Sequence, residues 1–412
     1  MPDVLVIGAG AAGLMAGGTC ACMGKDVLII EKNKRPGRKI VISGKGRCNI
    51  TNAVEGVDGL IRNIPKNGRF LYSAFNTFSN NDIIDFFEEN GLETKVERGE
   101  RVFPKSDNAM DVVDALERYN KKKGAKFLYK SSVKKILVEN GRVCGVMLES
   151  GERLFADSVI LCTGGRSYPR TGSTGDGYAL AKSVGHSVTP LRSALVGVEV
   201  FENWVKELEG LSLRNVSLKL KDLKGDIVYE DFGEMVFTKD GVSGPVVLSL
   251  TSFFDGESIE NYKLSIDLKN ALDFEKLDSR VMRDFEKYTR KSFKNALDDL
   301  LPQKLIPVFI KRSGIDEYTK VNQITKSKRH EIVNLLKDFS LTAKRLGDID
   351  QAIVTRGGVS VKEIKPKTME SKLVGGLYFA GEIIDVDGVT GGFNLTIAFS
   401  TGYLAGVSAG GD

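Results

Sequence analysis

Two histidines in 412 residues, His186 and His330, exclude much chemistry before any motif is read. A three-histidine zinc centre cannot be built. No Gly-x-Ser-x-Gly elbow accompanies an imidazole, which disfavours a Ser-His-acid hydrolase. His186 follows Ser183-Val184-Gly185 at an expected helix end, where a structural role outweighs a catalytic one. The one tryptophan, Trp204, reads as a packing residue. Cys20, Cys22, Cys48, Cys144 and Cys162 form an odd set without a paired framework, and Cys20-x-Cys22 has the wrong spacing for a zinc knuckle. No metal site is expected, and a reducing compartment, the cytoplasm, is. Long apolar runs are missing too. Every window of about 18 residues, the length a membrane helix needs, is broken by glycines or charge, so no membrane span is expected. The apolar N-terminus carries Asp3 in place of a basic n-region, so it does not read as a signal peptide.

Charge is unevenly placed. From Gln303 to Arg345 there are ten Lys/Arg against four Asp/Glu, a larger surplus than the +5 of the whole chain. Such a stretch suits nucleic acid or an acidic ligand. More often such a stretch is simply the solvated face of amphipathic helices. Aromatic residues for base stacking are sparse there (Phe309, Tyr318, Phe339), which weighs against nucleic acid and for a small-molecule substrate.

What is present is concentrated at the N-terminus. DVLVI runs into Gly8-Ala9-Gly10-Ala11-Ala12-Gly13, followed by a small-residue helix, a second apolar run DVLII, and Glu31-Lys32. This is a complete dinucleotide-binding βαβ pattern: Gly8 turns the chain off the strand, Gly10 leaves room for a pyrophosphate, and Gly13 lets helix and strand pack closely. The helix opening at Gly10–Ala12 aims free N–H groups at phosphate. Glu31, eighteen residues past Gly13, is placed to accept from a ribose diol.

At this length more than one domain is expected. Strands and helices alternate to about residue 190, with helices near Asn80–Asn90 and Asn108–Lys123, β-rich segments at Lys126–Val138 and Arg142–Leu148, and a strand at Ser158–Cys162. Between Leu191 and Leu268 short alternating runs (VSLKLKDL, IVYEDF, EMVFT, YKLSIDL) predict a small barrel or sandwich. Residues 273–337 show helical periodicity through Val281, Phe285, Tyr288, Phe293, Leu297 and Leu300. The last sixty residues return to α/β style, with a strand at Gly376–Ala380 and a helix over Gly392–Ala405. The expected class is α/β: a discontinuous Rossmann-like domain (1–190 plus 351–412) interrupted by a β-barrel (191–272 plus 338–350) and a helical cap (273–337).

Three further clusters look built for phosphate, ribityl or ring contact. The first is Gly37-Arg38-Lys39 with Ser43-Gly44-Lys45-Gly46-Arg47-Cys48-Asn49-Ile50-Thr51-Asn52. The second is Thr163-Gly164-Gly165, continued by Gly172-Ser173-Thr174-Gly175-Asp176-Gly177. The third is Gly381-Glu382 with Gly391-Gly392-Phe393-Asn394 at a helix start. Glycines admit backbone approach, polar side chains supply donors and acceptors, and a helix start favours negative charge on a reduced ring. A first βαβ for an ADP half and a distant helix start for a flavin half is the division FAD requires; an NAD-only dehydrogenase would not need the third cluster. Asp176 reads either as a ligand of the cofactor or as a helix cap. Cys48 reads as a packing residue more readily than as a redox thiol, because no Cys-x-x-Cys partner is near.

SGKGRCNITN, CTGGRSYPRTGSTGDG, FTKDGVSGP and LYFAGEIIDVDGVTGGFN, in this order, resemble the three-domain bacterial flavoproteins that include aminoacetone oxidases and a reductase of bile-acid dienones. The resemblance covers nearly the whole chain. It implies FAD, a Rossmann-like domain split by barrel and cap, and a redox site at their junction. It implies that Glu31 holds the adenosine ribose and that Val133 offers backbone to the adenine. By position, Ser43, Gly44, Arg47, Cys48, Asn49, Thr51 and Asn52 line the flavin and Asp176 lies near its middle. Gly381, Glu382, Gly391, Gly392, Phe393, Asn394, Leu395 and Thr396 complete the pocket. Many relatives carry histidine after the Phe-Thr pair of the barrel motif; this chain has Lys239. Lys239 is therefore read either as a contact for an acidic substrate group or as a solvated barrel residue.

The activity implied is hydride transfer, with NAD(P)H as co-substrate and an electron-poor C=C conjugated to a carbonyl, as in a steroid or bile-acid dienone, as acceptor. Only one G-x-G-x-x-G is present, so no separate nicotinamide domain is expected. With histidine nearly absent, Tyr168 is the first candidate proton donor, ahead of solvent. Two alternatives stay open: an amine oxidase acting on a small amino-ketone such as aminoacetone with peroxide release, and a flavin-containing RNA-binding protein.

Overall fold

The computed structural model describes residues 1–254 and 258–411. They form two compact units, Met1–Ala194 with Asp348–Asp412, and Leu195–Gly347.

The first unit is built on a five-stranded parallel sheet in the spatial order Leu377–Phe379, Ser158–Leu161, Val4–Ile7, Val27–Glu31, Lys126–Tyr129. Val4 pairs in register with Ser158 on one side and Val27 on the other. All four residues of the central strand are buried, which is why it is apolar without alternation. The strand near the C-terminus adds beside Ser158–Leu161, so the two ends of the chain close one sheet.

The helix after the first strand, Ala11–Cys22, and the C-terminal helix, Phe393–Gly411, are both rich in Gly and Ala because they meet backbone to backbone. A Cβ on Gly402 would stand 2.4 Å from the Ala12 carbonyl oxygen, and one on Gly406 would stand 2.8 Å from that of Ala16. The Cys20 thiol donates to the Gly406 carbonyl at 3.2 Å. Phe399 fills the far side of the C-terminal helix against Phe87.

Local details differ from the pattern reading. The segment expected as β over Lys126–Val138 is two strands: Lys126–Tyr129 joins the parallel sheet, and Val133–Glu139 pairs with Arg142–Leu148 in a separate antiparallel sheet. The break is at Lys130, held at φ +56°. IVYEDF and EMVFT are not separate strands but one, Ile227–Phe237. Gly233, which looks like punctuation in the sequence, sits within it opposite Val216, beside a shift in register.

In the second unit six strands close a barrel: Val198–Val200, Gly241–Ser243, Ile227–Phe237, Ser212–Lys221, Lys263–Asp267 and Phe339–Leu346. The helices Phe274–Lys287, Ile306–Ser313 and Lys326–Lys337 share one hydrophobic core with it, through Leu277, Val281, Phe309 and Leu336 against Phe339 and Leu341. Trp204 packs there against Phe339, and the Arg312 guanidinium lies over both rings. Much of the basic surplus between Gln303 and Arg345 is spent locally. Lys311 pairs with Glu207, Lys328 with Glu331, Arg329 with Asp278, Lys337 with Asp267, and Arg345 with Glu199. Among the described residues no helix is long and apolar enough to cross a membrane.

Replacing a mid-helix glycine by alanine ordinarily favours the helix by about 1 kcal/mol. At Gly402 the sign reverses, because the methyl meets a backbone oxygen that cannot yield; Gly402→Ala lowers unfolding free energy by about 1–3 kcal/mol. Urea unfolding followed by circular dichroism checks this.

Candidate functional site

The Rossmann unit holds a cavity of about 540 Å³ that touches every segment the sequence analysis singled out there, a size usual for cofactor sites. Its floor is the loop from Gly8 to Ala12. Each glycine of this loop answers a different constraint. Gly8 has φ +100°, and a Cβ there would lie 2.6 Å from the Cys162 carbonyl oxygen. Gly13 lies behind the loop, where a Cβ would fall 1.8 Å from the Gly8 oxygen. At Gly10 nothing lies within 4 Å of the position a Cβ would take. The first two glycines permit the packing; the third leaves space on the ligand side. The helix that starts at Ala11 has no side-chain cap, so its first N–H groups are available to an anion.

Glu31 ends the second strand at the cavity wall, and its orientation is set by the backbone: Oε2 accepts from the Ala9 N–H at 2.8 Å and Oε1 from the Asn33 N–H at 2.8 Å. Lys32 donates to Thr174 and Asp176, each at 2.7 Å. Asp176 is not the cap of the helix Asp176–Ser183, because Gly175 takes that position; its carboxylate faces Lys32 at the cavity. Lys39 bridges Ser167 and Glu382, both at 2.6 Å. Glu382 also accepts from the Thr355 N–H at 2.8 Å and the Ser167 hydroxyl at 3.0 Å. Burial pushes the Glu382 carboxyl upward, but Lys39 and these donors outweigh it and hold it below its ordinary range. Val133, Gly37, Arg38, Ser43, Gly44, Thr163, Gly164, Gly381, Asn394 and Leu395 also line the cavity.

The remaining expected cofactor residues do not line it; they hold the wall from behind. The Arg47 guanidinium reaches Glu97 and Asp107 at 2.5 Å and stacks on Phe103. Cys48 is fully buried and burial pushes its thiol up to about 12, so it packs. Thr51 and Thr396 hydrogen-bond through their hydroxyls at 2.7 Å, and Asn52 donates to the Gly99 and Gly391 carbonyls at 3.0 Å. Asn49 precedes them with a buried side-chain oxygen. Gly392 lies so close to Thr51 that a Cβ would stand 2.3 Å from its carbonyl oxygen, and Phe393 is buried beside it. Gly165 leaves room for Thr355 and Glu382. The first and third clusters are thus tied together: one set of residues lines the cavity and a second set fastens the lining.

Tyr168 stands at the cavity, 36% exposed, with its backbone at φ +50°. Lys239 lies exposed in the turn between the strands Ile227–Phe237 and Gly241–Ser243 of the barrel unit and is not among the lining residues. The sequence reading missed Arg35, Ser131, Ser132, Ile353, Val354 and Val386, all of which line the cavity. The unread motif Thr355-Arg356-Gly357-Gly358, with Gly357 at φ +90° and Gly358 at φ +157°, is the signal that marks the segment carrying Ile353 and Val354. His186 forms a Ser371–His186–Glu363 chain at 2.8 and 3.2 Å that imitates a hydrolase triad. It is not one: the Ser371 oxygen already accepts from the N–H groups of Leu373 and Val374, and the imidazole is wholly buried.

These residues fit FAD. Gly10 offers an open cradle for a pyrophosphate, Glu31 an oriented carboxylate for a ribose, and Thr163 a buried hydroxyl without a partner. The C-terminal helix begins at the cavity, which its first-turn residues Asn394 and Leu395 line.

Residues 2–408 match the HI0933-like protein Rossmann domain. The chain is 31% identical to the 3-dehydro-bile acid delta(4,6)-reductase of Clostridium scindens, over 99% of both chains. It is 32% identical to the ribosomal RNA dihydrouridine synthase of Haemophilus influenzae, over 98% of this chain and 97% of the relative. Among solved structures, 3-ketosteroid delta1-dehydrogenase from Sterolibacterium denitrificans shares the fold at a TM-score of 0.54 and 12% identity, over 100% of this chain and 99% of that one.

Two substitutions separate lining from packing. Glu31→Ala weakens FAD binding by about 1–3 kcal/mol through the lost hydrogen bonds while the fold persists. Gly13→Ala, which drives a methyl into the Gly8 oxygen, costs folding itself. Equilibrium FAD titration of the apoprotein beside thermal unfolding reads both.

Proposed function

The chain belongs to the HI0933-like Rossmann-domain family, and from that premise we propose that it is an FAD-dependent reductase: it draws electrons from NAD(P)H and saturates an electron-poor C=C conjugated to a carbonyl. The observation that carries this reading is the cavity itself, lined at once by the glycine loop of the N-terminus, the first turn of the C-terminal helix and the Lys39–Glu382 pair. The chemistry FAD supplies when bound is two-electron transfer as hydride, in from NAD(P)H and out to the β-carbon of the acceptor, with a proton completing the α-carbon. The protein's share is orientation and charge. Glu31 holds the ribose, the loop N–H groups and Lys39 oppose phosphate charge, and Tyr168 presents a hydroxyl at the wall as proton donor.

The names of the relatives support the bond. A delta(4,6)-reductase and a dihydrouridine synthase both saturate a C=C in conjugation with a carbonyl. A steroid or bile-acid dienone is the substrate supported by the Clostridium scindens relative and by the sequence motifs. One observation favours a second reading, the 5,6 bond of a uracil in RNA. Lys34, Arg35, Lys45, Arg166 and Arg170 are exposed on the loops that bound the cavity, and among the described residues none of them forms an ion pair with a carboxylate. A neutral steroid gains little from such a rim and a bile acid offers it one carboxylate, whereas each RNA phosphate it neutralises releases counterions. These cations are separate from the 303–345 stretch, where five of the ten Lys/Arg pair with carboxylates.

Anaerobic stopped-flow mixing tests the reaction. NADH or NADPH bleaches the bound flavin, and a dienone steroid or a uridine-containing ribosomal RNA fragment restores its colour with a saturated product. Bleaching by aminoacetone but by neither nicotinamide, with peroxide formed in air, overturns the proposal in favour of an amine oxidase. Activity on the RNA that falls steeply with salt, and falls again in Arg166→Ala/Arg170→Ala, selects the RNA reading over the steroid one.

A further inference from the structure

Behind the cavity wall lies a polar cluster that the reading above does not use. Val386 lines the cavity; its neighbours Asp385 and Asp387 are 3% and 0% exposed. Asp385 Oδ2 faces the Lys66 ammonium at 3.3 Å and the Asn67 amide at 3.2 Å, while its Oδ1 is buried with no partner. Asp387 Oδ1 accepts from the Arg356 guanidinium at a long 3.4 Å, and its Oδ2 is likewise buried with no partner. Arg356 ends the strand Val354–Arg356, whose first residue is also a wall residue. The charged and titratable groups around Asp387 are Arg356, Asp385 and Lys66, with Tyr178 adding to the surroundings of Asp385.

Lys66 and Asn67 answer one oxygen of Asp385, but Asp387 has only the long guanidinium contact and each carboxylate keeps a buried oxygen without a partner, so the doubly ionised pair is incompletely compensated. A proton on one of them relieves the repulsion and gives an orphaned oxygen its hydrogen. A group so placed responds to any change of charge across the thin wall that Val386 provides.

We propose that Asp387 takes up a proton when the cofactor in the adjoining cavity is reduced and gives it up when the electrons leave. This rests on the reading that FAD occupies the cavity. The balance is complete: hydride from NAD(P)H carries two electrons and one proton, and the second proton of the reduction comes from solvent. It rests on Asp387 until hydride passes to the substrate and is then released to solvent, while Tyr168 gives the α-carbon its proton and is reprotonated from solvent, so that NAD(P)H, H⁺ and C=C become NAD(P)⁺ and the saturated bond. Lys66, part-exposed and paired to Asp385, lies on the solvent side of the cluster. Burial, with Asp385 as a second contributor, already raises the Asp387 carboxyl to about 6 against the pull of Arg356 and Lys66. Added negative charge raises it further, so the extra uptake falls in a window that opens near pH about 6 and closes above the raised value of the reduced state: below the window the carboxyl is protonated in both redox states, above it in neither.

The test is proton uptake during anaerobic photoreduction of the FAD-loaded protein in unbuffered solution with a pH-indicator dye, which needs neither nicotinamide nor substrate. In the window just above pH about 6, Asp387→Asn takes up fewer protons per flavin than the parent, by up to one, and the difference closes again at higher pH. Asp385→Asn, which removes the neighbouring negative charge, moves the onset of the extra uptake to lower pH. Equal uptake by parent and Asp387→Asn overturns the proposal. If that variant does not fold or retain FAD, an unmoved pH profile in Asp385→Asn overturns it instead. Failure to bind FAD at all overturns the cofactor reading, a separate outcome visible before any light is applied.

Discussion

The approach of one backbone to another at the chain's two ends is the constraint on which the rest depends. The helix Ala11–Cys22 and the helix Phe393–Gly411 meet where Gly402 and Gly406 pass the carbonyls of Ala12 and Ala16. Gly381 comes within contact of Ala12, and Gly13 lies against Gly8. A side chain larger than hydrogen at any of these points would push the glycine loop and the C-terminal helix start apart. The cavity exists because they are held close, with the loop as one wall and Asn394 and Leu395 on another. The small residues therefore serve placement. They contribute little apolar area, and the larger burial comes from Phe75, Phe87 and Phe399 nearby.

Charge inside this frame follows a second rule. Every carboxylate that lines the cavity is oriented by donors: Glu31 by backbone N–H groups, Asp176 by Lys32, Glu382 by Lys39, Ser167 and Thr355. Such groups are pre-set, so a ligand meets fixed acceptors and fixed cations instead of having to order them. The Asp385–Asp387 pair departs from the rule. It is deeper, each carboxylate has an oxygen without a partner, and burial shifts the Asp387 carboxyl toward neutrality, the pattern expected where a proton is held in reserve against a change of charge.

How much of this is legible in the sequence depends on how local its cause is. The βαβ unit, the roles of Gly8, Gly10 and Gly13, and the position of Glu31 follow from strand and turn geometry over about thirty residues, and the structure places them accordingly. The barrel was readable as a run of short strands. That Ile227–Phe237 is a single strand through Gly233 was not, because the neighbour that keeps Gly233 in the sheet, Val216, belongs to another strand. Arg47, Cys48, Thr51 and Thr396 sit in motifs dense with polar and small residues, and composition alone cannot tell lining from fastening. The difference lies in which way each side chain faces once the 43–52 loop turns through left-handed residues at Gly44, Lys45 and Cys48.

The sequence by itself determined that the chain opens with a dinucleotide fold, that its two ends belong to one domain around an insertion, and that two histidines are too few for a three-histidine centre. Those conclusions rest on short-range geometry and on which residue types are scarce, and both survive without knowledge of contacts. Only the tertiary structure decided that Ser371–His186–Glu363 is a buried brace and that Lys39 is answered by Glu382. It alone decided that Asp387 lies buried beside Arg356 with one carboxylate oxygen left without a partner. Each of these depends on partners at least 31 residues apart, where hydrogen bonding and desolvation are properties of the packed interior and leave no periodic or compositional trace in the chain.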